Sequence, residues 1–324
     1  MIPTGGISLP QDLRQADLES NTRCWAHGCA PSTEQRHSEI LLNLQPNPKS
    51  PNPKPSFIPS LLKATPDMKP VLVPTQPTST PLRSRPQRGN CAPSKVFFCP
   101  EESHFYSQCL EKMLLGQSCE APSIVEFGAG DGSAVINALL KTPFSGVIRG
   151  YELSPTACQV AQTHIQKHRL ENRYRIYNQC FFEGLNQRPA SCLIANPPYI
   201  PAPDDRILMP ELYGGQDGAT ITKALLTVGC EQMLLMISAY SNPVETIYHA
   251  LAQDYHVVDF MVTPLPFGTY SSEPKVKNWI ARLRSQKKAF YSTNIYFLTG
   301  VLFQKRSPTT RDLSDELLKV MTLL

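Results

Sequence analysis

From about Val96 onward, short continuous apolar runs alternate with stretches whose apolar residues recur at helical spacing. SIVEFGAG reads as a buried strand, Ser123 to Phe127, feeding a glycine turn. DGSAVINALLK follows as a helix, VIRGYEL as a second strand, and SPTACQVAQTHIQKHRL as a helix. At the start of that second helix Ser154 supplies a cap and Pro155 a first-turn proline. YRIYNQ and SCLIANPPY are the third and fourth strands, ATITKALLTVGC is helical, QMLLMISAY is the fifth strand and PVETIYHALAQDY a further helix. HVVDFMVTPL and TNIYFLTGVLFQ close the series as strands, with no helical pattern read between them. Strands alternating with helices predict an α/β fold: a seven-stranded, mostly parallel sheet covered on both faces. Continuous apolar strands such as MLLMI fit burial on both sides. The last two strands are expected to form an antiparallel hairpin at the sheet edge.

The N-terminal part does not share this pattern. About half of the 31 prolines fall in the first ninety or so residues, densest in LQPNPKSPNPKPSFIPS and VLVPTQPTSTPLRSRPQRGN. Such a stretch buries too little apolar surface to offset its ordering entropy. Residues 1–92 are therefore expected to be a Pro-rich, largely disordered tail or linker, 93–306 the folded domain, and 307–324 a C-terminal helix. Within the tail, TEQRHSEILLNL, Thr33 to Leu44, has the spacing of one short amphipathic helix.

Composition narrows the class only a little. The chain has 324 residues, 41% of them hydrophobic, and a net charge of +4. That suits a globular core, and the mildly basic balance is compatible with an acidic partner without demanding one. No apolar stretch is long enough for a bilayer span and no secretory signal pattern opens the sequence, so a cytoplasmic location and no membrane partner are expected. Ten cysteines without C-x-x-C pairs suggest reduced thiols. Cys24, His27 and Cys29 match no standard zinc spacing, so no metal is expected.

Ligands of such sheets bind outside the carboxyl ends of the strands. EFGAGDG places Gly128, Gly130 and Gly132 directly after a strand and before a helix, where glycines permit a tight turn and close approach of a ligand. Glu152 ends the next strand, about twenty residues on, where an acid can hold ribose hydroxyls. A dinucleotide site shares this logic. The spacing here is G-x-G-x-G with Glu126 ahead, however, and Asp131 inside the loop would repel a pyrophosphate. A ligand combining a ribose with a positive centre fits better.

The fourth strand runs into Asn196-Pro197-Pro198-Tyr199. Two consecutive prolines can continue neither a paired strand nor a helix, so they form a stiff turn. The Asn196 amide oxygen and the Pro197 carbonyl are two acceptors side by side, able to hold both hydrogens of a planar NH2 group. Tyr199 offers a flat ring on which that group can stack. Catalysis at such a site would be mostly positioning.

VEFGAGDG, GYELS and ANPPYI, in that order, resemble the Rossmann-like class I S-adenosylmethionine-dependent methyltransferases that modify planar amino nitrogens, and most of all the HemK-like enzymes, which methylate a glutamine of release factors. VFFCPEE, Val96 to Glu102, is similar to that family's entry segment, and Gly214, Gly215, Asp217 and Gly218 to its glycine-rich stretch after Asn-Pro-Pro-Tyr. The likeness runs from about Val96 to Lys305. It implies S-adenosyl-L-methionine as cofactor, held by Glu126, Gly128, Ala129, Gly130, Asp131, Gly132, Glu152, Leu153, Cys180, Phe181 and Asn196, with Asn196, Pro197, Pro198 and Tyr199 at the catalytic centre. Cys180 stands where the family usually has an acid near the adenine, and Cys99 where it usually has Arg. The family's N-terminal helical domain is not evident.

Between the last two strands, Lys275, Lys277, Arg282, Arg284, Lys287 and Lys288 interleave with Trp279, Phe290 and Tyr291, a pattern able to hold phosphates and stack bases. It suits still better a solvated helix with Trp279, Ile280 and Leu283 facing the core. Three readings follow: N-methylation of a protein glutamine, N-methylation of adenine or guanine in RNA or DNA, and a non-catalytic cofactor-binding module. A monomer is expected in each.

Overall fold

In the central strands, successive residues pack alternately into two apolar clusters on opposite faces of the sheet. In the first strand, β1 (Ile124–Phe127), Ile124 packs into one apolar cluster and Val125 into another across the sheet. In β4 (Cys192–Ala195), Cys192 and Ile194 join the first cluster and Leu193 and Ala195 the second. All four β4 residues are buried, which is why this strand reads as an unbroken apolar run.

The computed structural model describes residues 96–116, 123–307 and 309–324. All belong to the unit Pro93–Leu324. The tail read over 1–92, the short helix read over Thr33 to Leu44 and the Cys24, His27, Cys29 cluster lie outside the described residues.

Helix α1 (Pro100–Cys109) widens into π-helical turns over Leu110–Leu115 and leads to β1. Then follow α2 (Ser133–Lys141), β2 (Ile148–Tyr151), α3 (Pro155–Lys167), β3 (Tyr174–Tyr177), α4 (Phe181–Gln187) and β4. After these come α5 (Thr220–Leu226), β5 (Gln232–Ser238), α6 (Pro243–Ala252), β6 (Tyr255–Pro266), α7 (Pro274–Ser285), β7 (Ile295–Lys305) and α8 (Ser314–Met321). The seven strands form one sheet in the order β3-β2-β1-β4-β5-β7-β6. The first five run parallel, and β7 pairs antiparallel with both β5 and β6. This is the expected Rossmann-like sheet with an antiparallel pair at its edge.

The connection inside that pair differs from the sequence expectation. It is not a bare hairpin: it carries the twelve-residue helix α7. Val276, Ile280 and Leu283 are buried on one side of α7, an i, i+4, i+7 stripe, in line with the alternative reading of this segment as a solvated helix with Ile280 and Leu283 facing the core. As expected, the Ser154 hydroxyl caps α3 by accepting from the Ala157 N–H at 3.2 Å. Among the described residues, no helix is long and apolar enough to cross a membrane.

Register places the site. Phe127 lies opposite Tyr151 of β2 on one side and Ala195 of β4 on the other. The residues that follow these three, Gly128, Glu152 and Asn196, therefore leave the sheet at one level. This is the point where strand order reverses, between β1 and β4, and a crevice opens there in folds of this kind.

Candidate active site

The glycine loop is built as its composition demands. Gly128, Gly130 and Gly132 have φ of +66°, +56° and +74°, a region that disfavours side chains. Gly128 and Ala129 both donate backbone N–H groups to the Tyr151 carbonyl, at 3.0 and 3.2 Å, which seats the loop over β2. A Cβ at Gly128 or Gly130 would have no heavy atom within 4 Å, so the loop presents bare backbone to open space. Gly132 instead lies under Ala161 and Tyr174, 3.3 Å from each such Cβ, and serves close packing of α2 on its neighbours.

The three acids expected at the loop sit differently from one another. Glu152 accepts from Gly130 N–H at 2.9 Å through Oε2 and from Ser154 N–H at 2.8 Å through Oε1. Each oxygen keeps a lone pair for a further donor. Asp131 Oδ1 accepts from Ser133 N–H at 3.0 Å, so this carboxylate ties the turn into α2. Glu126 is buried beneath the loop, where the hydroxyls of Tyr106 and Tyr174 donate to it. Burial pushes its pKa up to about 8; the two tyrosine hydrogen bonds work against that rise, and the charges of Glu152 and Asp131 reinforce it. The crevice is thus acidic around backbone donors, which suits a cation that also carries hydroxyls.

Leu153 is 58% exposed beside Glu152. Cys180 is half-buried at the start of α4, while the ring of Phe181 is only 3% exposed and packs edge-on against Phe127 and Tyr151, with centroids 5.4 and 5.8 Å apart. Phe181 is therefore a core ring. Its half-buried neighbour Phe182, unnoticed in the sequence, keeps part of its ring accessible.

The Asn-Pro-Pro-Tyr turn is clamped by the glycine-rich stretch that follows it. Ile200 donates to the Leu212 carbonyl at 3.0 Å and accepts from Gly214 N–H at 2.9 Å. A Cβ on Gly214 would sit 2.6 Å from Tyr199 Cα and 2.8 Å from Pro198 O; one on Gly218 would sit 2.6 Å from Tyr199 O. Only glycines permit this approach. Ser241 Oγ–H adds a 2.6 Å hydrogen bond to the Tyr199 carbonyl. Behind it, Asn242 donates to Asp217 at 2.7 Å, and Lys223 bridges Asp217 and Glu245 at 3.2 and 3.0 Å.

Pro197 is buried and Pro198 half-buried in this turn. The structure alters the role read for Tyr199. Its ring is 7% exposed and packs 5.8 Å from Tyr240, which itself lies 4.6 Å from Tyr296. The face expected to stack on a planar group is largely covered, so the ring serves as the turn's anchor. The Asn196 amide oxygen and the Tyr199 hydroxyl are both buried without a hydrogen-bond partner.

Sequence reasoning missed one residue at this centre. Glu102, in the first turn of α1, lies within electrostatic reach of Asn196 and Tyr199. Burial raises its pKa; the Tyr199 hydroxyl, the Asn196 amide and the Cys99 thiol pull against that rise. VFFCPEE marked the segment but not which acid reaches the centre.

Helix α7 braces the same edge. Trp279 Nε1–H donates to the Gln216 carbonyl at 2.6 Å, and Lys275 holds Asp204 and, at 2.8 Å, the Arg206 carbonyl. Arg282 lies over the Trp279 ring at 4.9 Å, Arg284 over Tyr291 at 4.5 Å, and Lys288 is 4.0 Å from Glu245. Four of the six cations read as a phosphate-binding patch are thus engaged within the fold. Among the described residues, no group of three or more His, Cys, Asp or Glu side chains is placed to hold a metal.

No family model matches the chain. It is 24% identical to a release factor glutamine methyltransferase of Gloeobacter violaceus over 151 residues, 43% of this chain and 52% of that one. It is 27% identical to the Geobacter sulfurreducens enzyme of the same name, over 41% of this chain and 50% of the other. A ribosomal protein uL3 glutamine methyltransferase of Neisseria meningitidis is 27% identical over 37% of this chain and 39% of its own length. Among solved structures, a Bacillus subtilis tRNA methyltransferase overlaps at a TM-score of 0.39 and 12% identity, covering 62% of this chain and 66% of the other. The chain spans about half the length of the first two curated relatives. Over that span the chain is similar in sequence to these release factor glutamine methyltransferases.

Proposed function

We propose that this protein is an S-adenosylmethionine-dependent methyltransferase that modifies the side-chain amide nitrogen of a protein glutamine. The observation that carries the reading is the Asn196 amide oxygen, a buried acceptor left without a partner at the carboxyl edge of the sheet. A group of that kind is costly unless a ligand donor completes it. A planar NH2 does so, with the Pro197 carbonyl as second acceptor.

The residues around the loop fit the cofactor. Bare backbone at Gly128 and Gly130 leaves room for it, Glu152 retains lone pairs for ribose hydroxyls, and the carboxylates of Glu152 and Asp131 favour its positive charge. When bound, S-adenosylmethionine supplies an electrophilic methyl group. The chain's own part is to fix the acceptor nitrogen: two acceptors hold its hydrogens and turn its electron density out of their plane. That is positioning rather than strong base catalysis.

The relatives' names support a protein glutamine, and the engagement of the α7 cations within the fold gives no added weight to a nucleic acid. The test is transfer of labelled methyl from S-adenosylmethionine into a cell lysate, divided between protease and nuclease digestion. Label lost to protease in a band the size of a release factor or ribosomal protein supports the assignment. Label lost to nuclease moves it to a base.

A further inference from the structure

We propose that Asn242 is a positioning residue whose side chain holds Ser241 against the Tyr199 carbonyl and so fixes the turn that carries Asn196. The proposal rests on the functional reading above and names a residue outside that turn on which the placement of the acceptor nitrogen depends.

Asn242 follows β5 and precedes Pro243, the first residue of α6. Its φ and ψ are +50° and +54°, in the left-handed region. Side chains rarely sit there, and asparagine is among the few that tolerate it. The residue is 2% exposed, so its amide is out of water. Glycine would give the same bend at no steric cost. The asparagine side chain therefore needs a reason of its own, and its contacts supply one. Nδ2 donates to Asp217 Oδ2 at 2.7 Å and to Glu245 Oε2 at 2.5 Å. Asp217 belongs to the glycine-rich stretch and Glu245 to the first turn of α6. One amide thus ties the end of β5 to the segment that clamps the catalytic turn.

What this bond fixes is the neighbouring Ser241. That residue is equally buried, and its hydroxyl donates to the Tyr199 carbonyl at 2.6 Å. Gly218, next to Asp217, runs so close that a Cβ on it would lie 2.6 Å from Tyr199 O and 2.7 Å from Ser241 Cβ. Two segments therefore pin the Tyr199 carbonyl, and the bond from Asn242 to Asp217 joins them. Tyr199 is three residues from Asn196, with Pro197 and Pro198 between. Prolines have a fixed φ, so a shift at the Tyr199 carbonyl passes to Asn196. Lys223 bridges both acids and Lys288 lies 4.0 Å from Glu245, which keeps the two carboxylates charged and accepting.

The experiment uses the full chain and two variants. Asn242→Gly keeps the left-handed bend and removes the amide; Ser241→Ala removes the hydroxyl and keeps the bend. Asparagine side chains are labelled with nitrogen-15, the Asn196 signals being those missing in Asn196→Ala. Both variants should move the Asn196 NH2 signals. With a release factor as acceptor, each should lower kcat about 10- to 100-fold and leave KM for S-adenosylmethionine unchanged. The double variant should lose little more than the worse single one, because both act through one carbonyl. Unmoved Asn196 signals or full kcat in either variant overturns the proposal, as does a double loss equal to the product of the single ones. Ser241→Ala decides alone where Asn242→Gly does not fold. Absence of methyl transfer in the wild type, with Asn196 signals that move in both variants, sinks the functional reading and leaves the positioning role standing.

Discussion

The backbone N–H of Gly130 donates to Glu152 across 2.9 Å, so the acid at the end of β2 grips the glycine loop after β1. The second Glu152 oxygen accepts from Ser154 N–H at 2.8 Å, which ties the same carboxylate to the start of α3. On the proposed reading, cofactor affinity and loop geometry would share one side chain. Glu152→Ala should weaken S-adenosylmethionine binding by about 10- to 100-fold, the loss of hydrogen bonds to a charged group. Glu152→Gln, which keeps one accepting oxygen, should fall between. Titration calorimetry gives both numbers, and wild-type affinity in Glu152→Ala would remove this residue from the cofactor site.

The clamp on the catalytic turn makes a second prediction. Gly214→Ala would put a methyl group 2.6 Å from Tyr199 Cα, where only backbone can yield. Overpacking of this kind costs about 1–3 kcal/mol. Because the displaced atoms belong to the turn that carries Asn196, turnover should fall well beyond what the loss of stability explains. Gly229→Ala is the control. Its φ of +82° imposes strain, but its new Cβ meets nothing within 4 Å, and it lies before β5 at the opposite end of the sheet. It should cost about 1–2 kcal/mol of stability and leave kcat intact.

Most of this site was legible because its signals are local. The glycines between β1 and α2 and the prolines after β4 dictate backbone shape from adjacent residues alone, and parallel register then aligns them. Relations between distant residues were not legible. Nothing near Tyr199 shows that Tyr240 and Tyr296 will enclose its ring, and nothing in VFFCPEE shows that Glu102 rather than Glu101 reaches Asn196. Helix α7 is an intermediate case. The core-facing Ile280 and Leu283 are read from the sequence as one alternative, while Val276, which completes the buried stripe, is not.

Glu126 should make the folded protein less stable as pH rises. In the fold its pKa is raised to about 8 by burial, against an ordinary value of 4.5. Between those values the folded chain holds a proton that the unfolded chain has lost. Stability contributed by the neutral acid is fully present below the lower value and declines as pH rises toward the upper one, at up to about 1.4 kcal/mol per pH unit. Glu126→Gln keeps the shape and removes the titration, so its stability should lose this slope. Denaturant unfolding of both proteins at pH 5.5, 6.5 and 7.5 measures the difference; parallel curves would mean that Tyr106 and Tyr174 hold the carboxylate ionised.

Asn196→Ala should separate function from stability most clearly. Removing the amide takes away the acceptor proposed to hold the substrate nitrogen, and the loss of one preorganised polar group at a reacting centre costs about 100- to 1000-fold in kcat. Cofactor affinity should stay within a few-fold, because Gly130 and Glu152 are untouched. The folded state loses the packing and other interactions of the amide, yet it is also relieved of an oxygen buried without a partner. These opposing effects are each of about 1 kcal/mol, so the unfolding temperature should move little. A variant that binds S-adenosylmethionine, melts like the wild type and transfers no methyl group fits a residue kept for chemistry at the expense of packing. Full activity in Asn196→Ala would remove the amide from the reaction.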